Sequence, residues 1–418
     1  MIKPVVFRPL MLLSASLALS FLVACRPPGQ NADGSPHFTA EERNKIFSLS
    51  PLPAPPANPS NRYADNPEAA HFGQYLFFDP RLSKNQQISC ASCHNPGLGW
   101  SDGLPLAKGL GTGTRHSPSL WNVAQQRWLF WDGRADSLWS QALGPIQHPL
   151  EMGADAPTLI QRFQSSEDLK AGYTHLFGAL PSAKASATEQ QRFLSHLGKA
   201  LEAYERKIVS QESDFDRFVK TLRNTGTSEA LSVSAQRGLR LFIGAGQCIL
   251  CHQGPNFSDG EFHNIGLPQL STGTAPDPGR SLGIGSVKTS ALNGRGPFSD
   301  ASAQDPWNDK LNYVSEDAAQ TGAFRTPSLR EVASTAPYMH DGRFQNLQEV
   351  LAFYNAPVMA PAIGNREDTL RPLQLTPEDM ADLEAFLQSL SSGPPDERLT
   401  HQPSTAVLSA AAAEGSSK

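Results

Sequence analysis

One short motif occurs twice in this chain and limits what the chain can fold around. Residues 90–94 read Cys-Ala-Ser-Cys-His, and residues 248–252 read Cys-Ile-Leu-Cys-His. Two thiols at this spacing can add to the two vinyl groups of one porphyrin, and the imidazole that follows can reach the iron. The sequence therefore predicts two covalently bound haem c groups. Their attachment residues are Cys90, Cys93, Cys248 and Cys251, and their iron ligands are His94 and His252.

Two other uses of paired cysteines stay open at this point. Two C-x-x-C pairs can together bind one zinc ion, and a single pair can act as a redox disulfide. Zinc does not require a His directly after each second Cys, and a redox pair is not expected twice in this form. The pattern favours haem over both.

The first 25 residues have the pattern of an export signal. Lys3 and Arg8 precede an apolar run that ends at Val23. The tetrapeptide Leu-Val-Ala-Cys25 resembles a bacterial lipobox, and Cys25 is the one cysteine outside the haem motifs. We predict a lipoprotein-type signal peptide over 1–25, lipidation of Cys25 and a periplasmic protein anchored to a bacterial membrane. The alternative is an ordinary signal peptide cleaved next to Cys25.

Composition indicates which other segments are flexible and which partners are not expected. Residues 26–62 are rich in Pro, Asn, Ser and Ala, which predicts a flexible tether, and 393–418 predict a disordered tail. No other stretch approaches ~20 apolar residues, so the membrane is contacted through the N-terminal lipid only. The net charge of −5 gives no reason to expect a nucleic-acid partner.

Between these ends lies an internal repeat. Gly-x-x-Leu-Phe precedes each haem motif, at 73–77 and 238–242, and Ser-Asp-Gly follows each, at 101–103 and 258–260. Further matches pair 117–120 with 326–329, and 131–134 with 340–343. We therefore predict a mostly α fold with long ordered loops. It consists of two cytochrome-c-like haem domains related by the repeat, over 63–230 and 231–392.

Two helices are predicted individually. Apolar residues at three- and four-residue steps predict a helix from Arg192 to Val209. Thr376 is a suitable N-cap, followed by Pro377 at the first helical position, and this helix is predicted to run to about Leu390.

The repeat also selects the groups expected opposite the iron-binding histidines. Pro145 lies fourteen residues after Trp131, and Tyr354 lies fourteen after His340. In the first half the segment after this position contains Glu151, whose carboxyl is an acid. In the second half the position itself is Tyr354, whose phenol oxygen can bind iron. Trp131 opens the turn shared by both halves, so its indole could pass an electron between haems. A solvated glutamate and a core tyrosine are the alternatives.

Several motifs taken together resemble the bacterial di-haem cytochrome c peroxidases and their MauG-type relatives. They are 76–83 (Leu-Phe-Phe-Asp-Pro-Arg-Leu-Ser), the first haem motif, 131–134, 149–152 (Pro-Leu-Glu-Met) and 335–342 (Thr-Ala-Pro-Tyr-Met-His-Asp-Gly). The resemblance implies that the N-terminal domain holds the peroxidatic haem and the C-terminal domain the electron-transfer haem. It also implies roles for Glu151 as the acid/base group, Gln141 and Pro145 as pocket residues, and Trp131 between the haems.

The sequence departs from the peroxidase pattern at three places. The stretch 108–111 (Lys-Gly-Leu-Gly) lacks the His that caps the resting iron in the peroxidases. Tyr354 stands where the peroxidases proper have a Met, which is the MauG-type choice. The resemblance also implies a calcium ion between the haems, with ligands at His116, Thr335 and Pro337. Imidazole is a poor ligand for this hard cation, which prefers oxygen.

These features imply an oxidoreductase that uses hydrogen peroxide. The first hypothesis is a MauG-like enzyme that oxidises an aromatic residue of a partner protein. The second is a cytochrome c peroxidase that reduces peroxide to water with electrons from a small cytochrome c or a copper protein. The third is a non-enzymatic two-haem electron carrier. Tyr354 favours the first hypothesis, and Glu151 without a capping His argues against the third.

Overall fold

The structure is a computed structural model that describes residues 31, 34–182, 184–269, 275–302, 304–357 and 361–404. The predicted signal peptide, with Cys25, lies outside these residues. Among those described, no helix has both the length and the apolar character needed to cross a membrane.

The regular structure is almost entirely helical, as predicted. Two strands of two residues each, β1 (Phe262–His263) and β2 (Phe324–Arg325), pair antiparallel. The helices are α1 (Ala40–Ser48), α2 (Pro67–Phe77), α3 (Cys90–Cys93), α4 (Leu138–Gln147), α5 (Ala156–Ser165), α6 (Glu167–Phe177), α7 (Ala187–Glu205), α8 (Asp214–Thr225), α9 (Val233–Ile243), α10 (Arg280–Thr289), α11 (Leu347–Asn355) and α12 (Pro377–Gln388).

Capping residues set the ends of the two helices predicted individually. Thr376 caps α12 in a capping box with Asp379, as its sequence suggested. The other helix, α7, begins five residues before the predicted start because Ser186 and Glu189 form a capping box there. It ends at Glu205; residues 206–207 form a turn, and the last two residues of the predicted helix are not helical.

Two hydrophobic cores organise the molecule. The first is built from α2, α4, α5, α6 and α7, and the second from α1, α8, α9, α11 and α12. In each core a glycine lets two helices cross closely. A Cβ on Gly73 of α2 would lie 1.9 Å from the carbonyl oxygen of Ala200, and one on Gly238 of α9 would lie 1.9 Å from that of Asp382. These are the glycines of the Gly-x-x-Leu-Phe segments.

The tether predicted over 26–62 is wrong for much of its length. Phe38, Ile46 and Leu49 are buried in the second core, and α1 lies among them. The Pro- and Ala-rich composition suggested a linker, but these three apolar side chains gain more by burial than the segment gains by staying extended.

The predicted tail and domain boundary need similar corrections. Residues up to 404 lie against the first half: Tyr204 donates to the Leu399 carbonyl at 2.5 Å, and Gln74 donates to the His401 carbonyl at 2.9 Å. Helix α8 precedes the predicted boundary at 230, yet Phe215 and Phe218 belong to the second core.

A segment of the second half reaches across to the first. Its described residues are 277–302 and 304–314. Ile284 and Val287 of α10 pack with Trp128, and Lys199 of α7 donates to the Asp300 carboxylate at 2.7 Å. Apolar and ionic contacts thus hold the two halves together.

Candidate functional site

The two motif histidines are oriented in the same way. Nδ1 of His94 lies 3.2 Å from the carbonyl oxygen of Trp100, and Nδ1 of His252 lies 2.9 Å from that of Phe257. A carbonyl can only accept, so Nδ1 carries the proton and Nε2 is left as the metal-binding nitrogen. Burial lowers the pKa of both imidazoles, which keeps them neutral for ligation.

The repeated pieces of sequence meet around these histidines. Trp100 and Phe257 both have positive φ, 60° and 51°, which turns their carbonyls toward the imidazoles. The Ser101 hydroxyl donates to the Ser117 carbonyl at 2.9 Å, and the Ser258 hydroxyl donates to that of Thr326 at 2.7 Å. Each half thus ties its Ser-Asp-Gly loop to its Pro-Ser-Leu segment.

The second site, around Cys248, Cys251 and His252, is a cavity with a largely apolar wall. Tyr354 of α11 forms part of this wall. Burial raises the pKa of its phenol, and the neighbouring thiols act in the same direction. No other described residue hydrogen-bonds to this hydroxyl, so it is available to a group bound in the cavity. Further lining residues are His116, Trp121, Trp131, Thr335 and Pro337.

The first site, around Cys90, Cys93 and His94, brings Glu151 close to the haem motif. The Leu110 amide donates to the Glu151 carbonyl at 2.9 Å, and the Cys93 thiol lies 3.8 Å from the Lys108 carbonyl. The loop without a capping His therefore lies between the motif and Glu151. Burial raises the pKa of the Glu151 carboxyl, although His148 and Arg134 act in the opposite direction.

Gln141 and Pro145 share one face of α4, because residues four apart on a helix are neighbours. The segment with Glu151 folds back onto this helix: the Met152 amide donates to the Pro145 carbonyl at 3.1 Å. The structure therefore brings Pro145 and Glu151 together, with Gln141 one turn away. Phe130, which the sequence did not single out, packs against Gly144 under the guanidinium of Arg134.

Trp131 lies where the two halves meet. Its indole Nε1 donates to the carbonyl of His116 at 2.9 Å, and its own carbonyl accepts from the Arg325 amide at 2.9 Å. Because Trp131 also lines the second cavity, it is in position to connect that site with the first half.

His116 is already engaged within the protein. Its Nδ1 lies 2.8 Å from the Leu104 carbonyl, and its Nε2 lies 3.3 Å from the Ser101 hydroxyl. Burial lowers its pKa. A neutral imidazole with both nitrogens near other partners is not placed as a calcium ligand.

A charged cluster beside the second site was not predicted. His263 lies 2.9 Å from carboxylate oxygens of both Asp259 and Glu367. The hydrogen bond to Asp259 contributes most to raising the pKa of His263, to about 11. Glu367 follows His263 by 104 residues, so spacing could not reveal the cluster. Cys251 lies within 4.8 Å of Asp259 and His263.

The arrangement fits two separate haem groups. Among the described residues, the four motif thiols are free and do not come together at one zinc site; Cys251 alone lies near other possible ligands, Asp259 and His263. Each thiol pair is instead followed by its own oriented imidazole. The indole Nε1 of Trp100, beside the first motif, is buried without a partner, and at the second site the thiols and imidazole open into one cavity.

Comparisons with known proteins agree with this arrangement. Residues 67–224 match the family model for di-haem cytochrome c peroxidase. The chain is 34% identical to methylamine utilization protein MauG of Methylorubrum extorquens, over 87% of this chain and 88% of that protein. It is 32% identical to cytochrome-c peroxidase IdrP1 of Pseudomonas sp. strain SCT, over 92% and 93%. A crystal structure of a MauG-like protein associated with microbial copper homeostasis is similar at a TM-score of 0.62 and 26% identity, over 85% and 97%.

Proposed function

Because the chain belongs to the di-haem cytochrome c peroxidase and MauG family of haem-dependent oxidoreductases, we propose that it uses hydrogen peroxide at the first site. Electrons reach that site through the second, and the oxidising power is spent on an aromatic residue of a partner protein, as in a MauG-like enzyme. The two haems supply the peroxide and electron-transfer chemistry; the protein supplies orientation and proton handling.

One observation carries the assignment of the first site. The loop over 108–111 is paired by its backbone with Leu150 and Glu151, beside Cys93. No imidazole is present in this loop, and the acid/base residue paired with its backbone is Glu151. This supports a site open to peroxide, in contrast to one closed by a sixth ligand.

Glu151 is proposed to move the proton that peroxide cleavage requires. Its carboxylate takes a proton from one peroxide oxygen and returns it to the other, so that water can leave. A raised pKa suits this task, because a group that both accepts and donates works best near the operating pH. Gln141 and Pro145 shape the pocket in which peroxide lies.

Tyr354 is proposed as the second ligand of the His252 haem. Support comes from its place on the wall of the second cavity and from its free hydroxyl. The matching helices add to this: α4 begins after the cap Ser137 and α11 after the cap Asn346, each six residues beyond the Trp131 or His340 position. An anionic phenolate stabilises oxidised iron better than a thioether does, which favours the MauG-like function.

The internal repeat and the export of the protein are also proposed. The internal repeat is supported by the matching histidine, serine and glycine contacts of the two halves. Export to the periplasm and lipidation of Cys25 are supported by the signal pattern alone. We do not extend the proposal to calcium, because His116 is engaged by Leu104 and Ser101.

The alternative is a cytochrome c peroxidase with a small cytochrome c or copper-protein donor, favoured by relatives of that name. The electron-carrier hypothesis is not kept, because the relatives are enzymes. Steady-state assays of the holoenzyme with peroxide and each reduced donor decide between the two. Rapid turnover with a donor supports the peroxidase. A long-lived oxidised state, discharged by a partner protein that gains an oxidised aromatic residue, supports the MauG-like function.

A further inference from the structure

The six tryptophans of this chain fall into two sets according to what lies over their rings. Cations cover three of them, at 3.7 to 5.9 Å from the ring centroid: Trp128 (Arg127, Arg280 and Lys310), Trp139 (Lys199) and Trp307 (Lys310). Across the described residues, no cation lies over the rings of Trp100, Trp121 or Trp131.

This difference affects how readily each indole loses an electron. A cation over the face of a neutral indole is attracted by the ring quadrupole. Once the ring has lost an electron it is positive, and the same cation repels it. The covered tryptophans are therefore harder to oxidise, and the uncovered ones are better suited to carry electrons.

The uncovered Trp100 and Trp121 also connect the two sites. Trp121 lines the second cavity together with His252. Its ring meets that of Trp100 at a centroid distance of 6.3 Å in an edge-to-face arrangement. The Trp100 carbonyl in turn accepts the hydrogen bond from His94, the ligand of the first site. Trp121 and Trp100 are both buried, at 6% and 0% exposure, so this chain of contacts lies inside the protein.

We propose that Trp121 and Trp100 form a second electron path between the two sites, parallel to Trp131. The inference rests on the proposed function, which supplies hydrogen peroxide as oxidant and the aromatic residue of a partner protein as the source of electrons. Each peroxide takes up two electrons and two protons to give two waters. As an electron leaves the indole pair for the first site, another enters from the second site, so both indoles return to their starting state and no covalent bond in them changes.

The indole N–H groups of Trp100 and Trp131 have no base beside them, which suits electron transfer. Nε1 of Trp100 is buried without a hydrogen-bond partner, and Nε1 of Trp131 faces the carbonyl of His116. A carbonyl is not a base, so neither N–H has a group beside it that would remove its proton. An oxidised ring that keeps its proton can be reduced again directly, whereas one that loses it becomes a longer-lived radical.

Four variants of the holoenzyme test the path: Trp131→Phe, the doubles Trp121→Phe/Trp131→Phe and Trp100→Phe/Trp131→Phe, and Trp139→Phe as a control. Trp139 is as fully buried as Trp100 but carries Lys199 over its ring. The unpartnered N–H of Trp100 means that Phe leaves no acceptor unpaired there. Haem content and circular dichroism verify folding. Stopped-flow absorbance then follows the second haem after peroxide is added.

We expect both double variants to respond more slowly than Trp131→Phe by at least about tenfold, which corresponds to about 1.4 kcal/mol in the barrier. Trp139→Phe should match the wild type. If the doubles respond as fast as Trp131→Phe, the second path is overturned while the proposed function stands. If the wild type does not react with peroxide at all, the proposed function itself fails, and the path with it.

Peptide mass mapping gives a readout that does not depend on turnover. After excess peroxide without a donor, oxidised indoles should concentrate at Trp100, Trp121 and Trp131. Oxidation concentrated instead at the covered tryptophans would overturn the inference.

Discussion

The indole Nε1 of Trp131 donates a hydrogen bond to the buried carbonyl of His116, with 2.9 Å between nitrogen and oxygen. The amide of His116 donates in turn to the carbonyl of His340 in the second half, at 2.8 Å. The side chain proposed to pass electrons between the haems is thus also part of the junction between the halves. Electron transfer and stability should therefore both respond to its replacement.

Trp131→Phe should lower the free energy of unfolding by about 1–3 kcal/mol, the cost of leaving a buried polar group without its partner. Denaturant unfolding followed by circular dichroism measures this change. The control is Trp139→Phe, whose lost acceptor is the Ser60 hydroxyl. That hydroxyl loses the indole donor but still donates to the Asn58 side-chain oxygen at 2.6 Å, so the loss should cost less. Equal effects of the two variants would contradict the importance of the His116 contact.

Glu151→Gln should reduce peroxide-dependent turnover by about 10²-fold or more, because the amide keeps the shape but cannot transfer a proton. Haem spectra and stability should stay close to those of the wild type. Glu68→Gln is the control, since Glu68 is exposed and pairs with His175 instead. Turnover of Glu151→Gln at the wild-type rate would remove Glu151 from the mechanism.

The pH dependence of turnover should reflect the raised pKa of Glu151. Burial raises the pKa of Glu151, so its carboxyl stays protonated to a higher pH than an ordinary glutamate with a pKa of about 4.3. If the carboxylate is the form that starts the reaction, turnover falls as the pH drops through this raised pKa. The acid limb of kcat/KM should therefore lie above about pH 4.3, and it should disappear in Glu151→Gln.

Tyr354→Phe should change the absorption spectrum of the second haem and raise its reduction potential, because it removes a phenolate that stabilises ferric iron. Tyr354→Met should raise the potential as well and move the enzyme toward peroxidase behaviour. The control is Tyr338→Phe in the same cavity, since the Tyr338 hydroxyl is already bonded to the Val332 carbonyl at 2.9 Å. An unchanged spectrum in Tyr354→Phe would exclude ligation.

The sequence predicted those parts of the site that depend on local order. The motifs at 90–94 and 248–252 hold two thiols and an imidazole within one short segment. In the structure, Nδ1 of both His94 and His252 lies beside a backbone carbonyl oxygen. Spacing also predicted that Pro145 and Tyr354 are equivalent, and the helices that carry them begin at the same distance after Trp131 and His340.

Long-range packing was beyond this reasoning. The contact between His263 and Glu367 joins residues whose separation carries no pattern. The segment before residue 62 has the composition of a linker, and only the tertiary structure shows that Ile46 is buried in the second core. Two of the cations over Trp128, Arg280 and Lys310, likewise come from distant parts of the chain.

Asp216 of α8 joins the segment before residue 62 to the second half of the protein. Its carboxylate accepts from Nη1 of Arg330 at 2.8 Å and from the Ser50 hydroxyl at 2.6 Å, so it ties α8 to both the second half and the N-terminal segment. Burial alone would raise the pKa of Asp216, but the hydrogen bond and charge of Arg330 outweigh it and lower that pKa to about 2. The pKa in the unfolded chain is about 3.9. The stabilisation is therefore complete above about pH 4 and is lost as the pH falls toward 2.

Asp216→Asn leaves the fully buried Arg330 side chain without a counter-charge, which should cost about 3–5 kcal/mol at pH 7. Denaturant unfolding at neutral pH and at about pH 2–3 measures the difference from the wild type, which should shrink at the lower pH because the wild-type carboxylate is then partly protonated. Asp214→Asn on the same helix is the control, since Asp214 is half exposed and pairs with exposed Arg217. Ser50→Ala should destabilise the protein less than Asp216→Asn and more than Asp214→Asn if residues before 62 belong to the folded body. No effect of Ser50→Ala would restore the view of that segment as a tether.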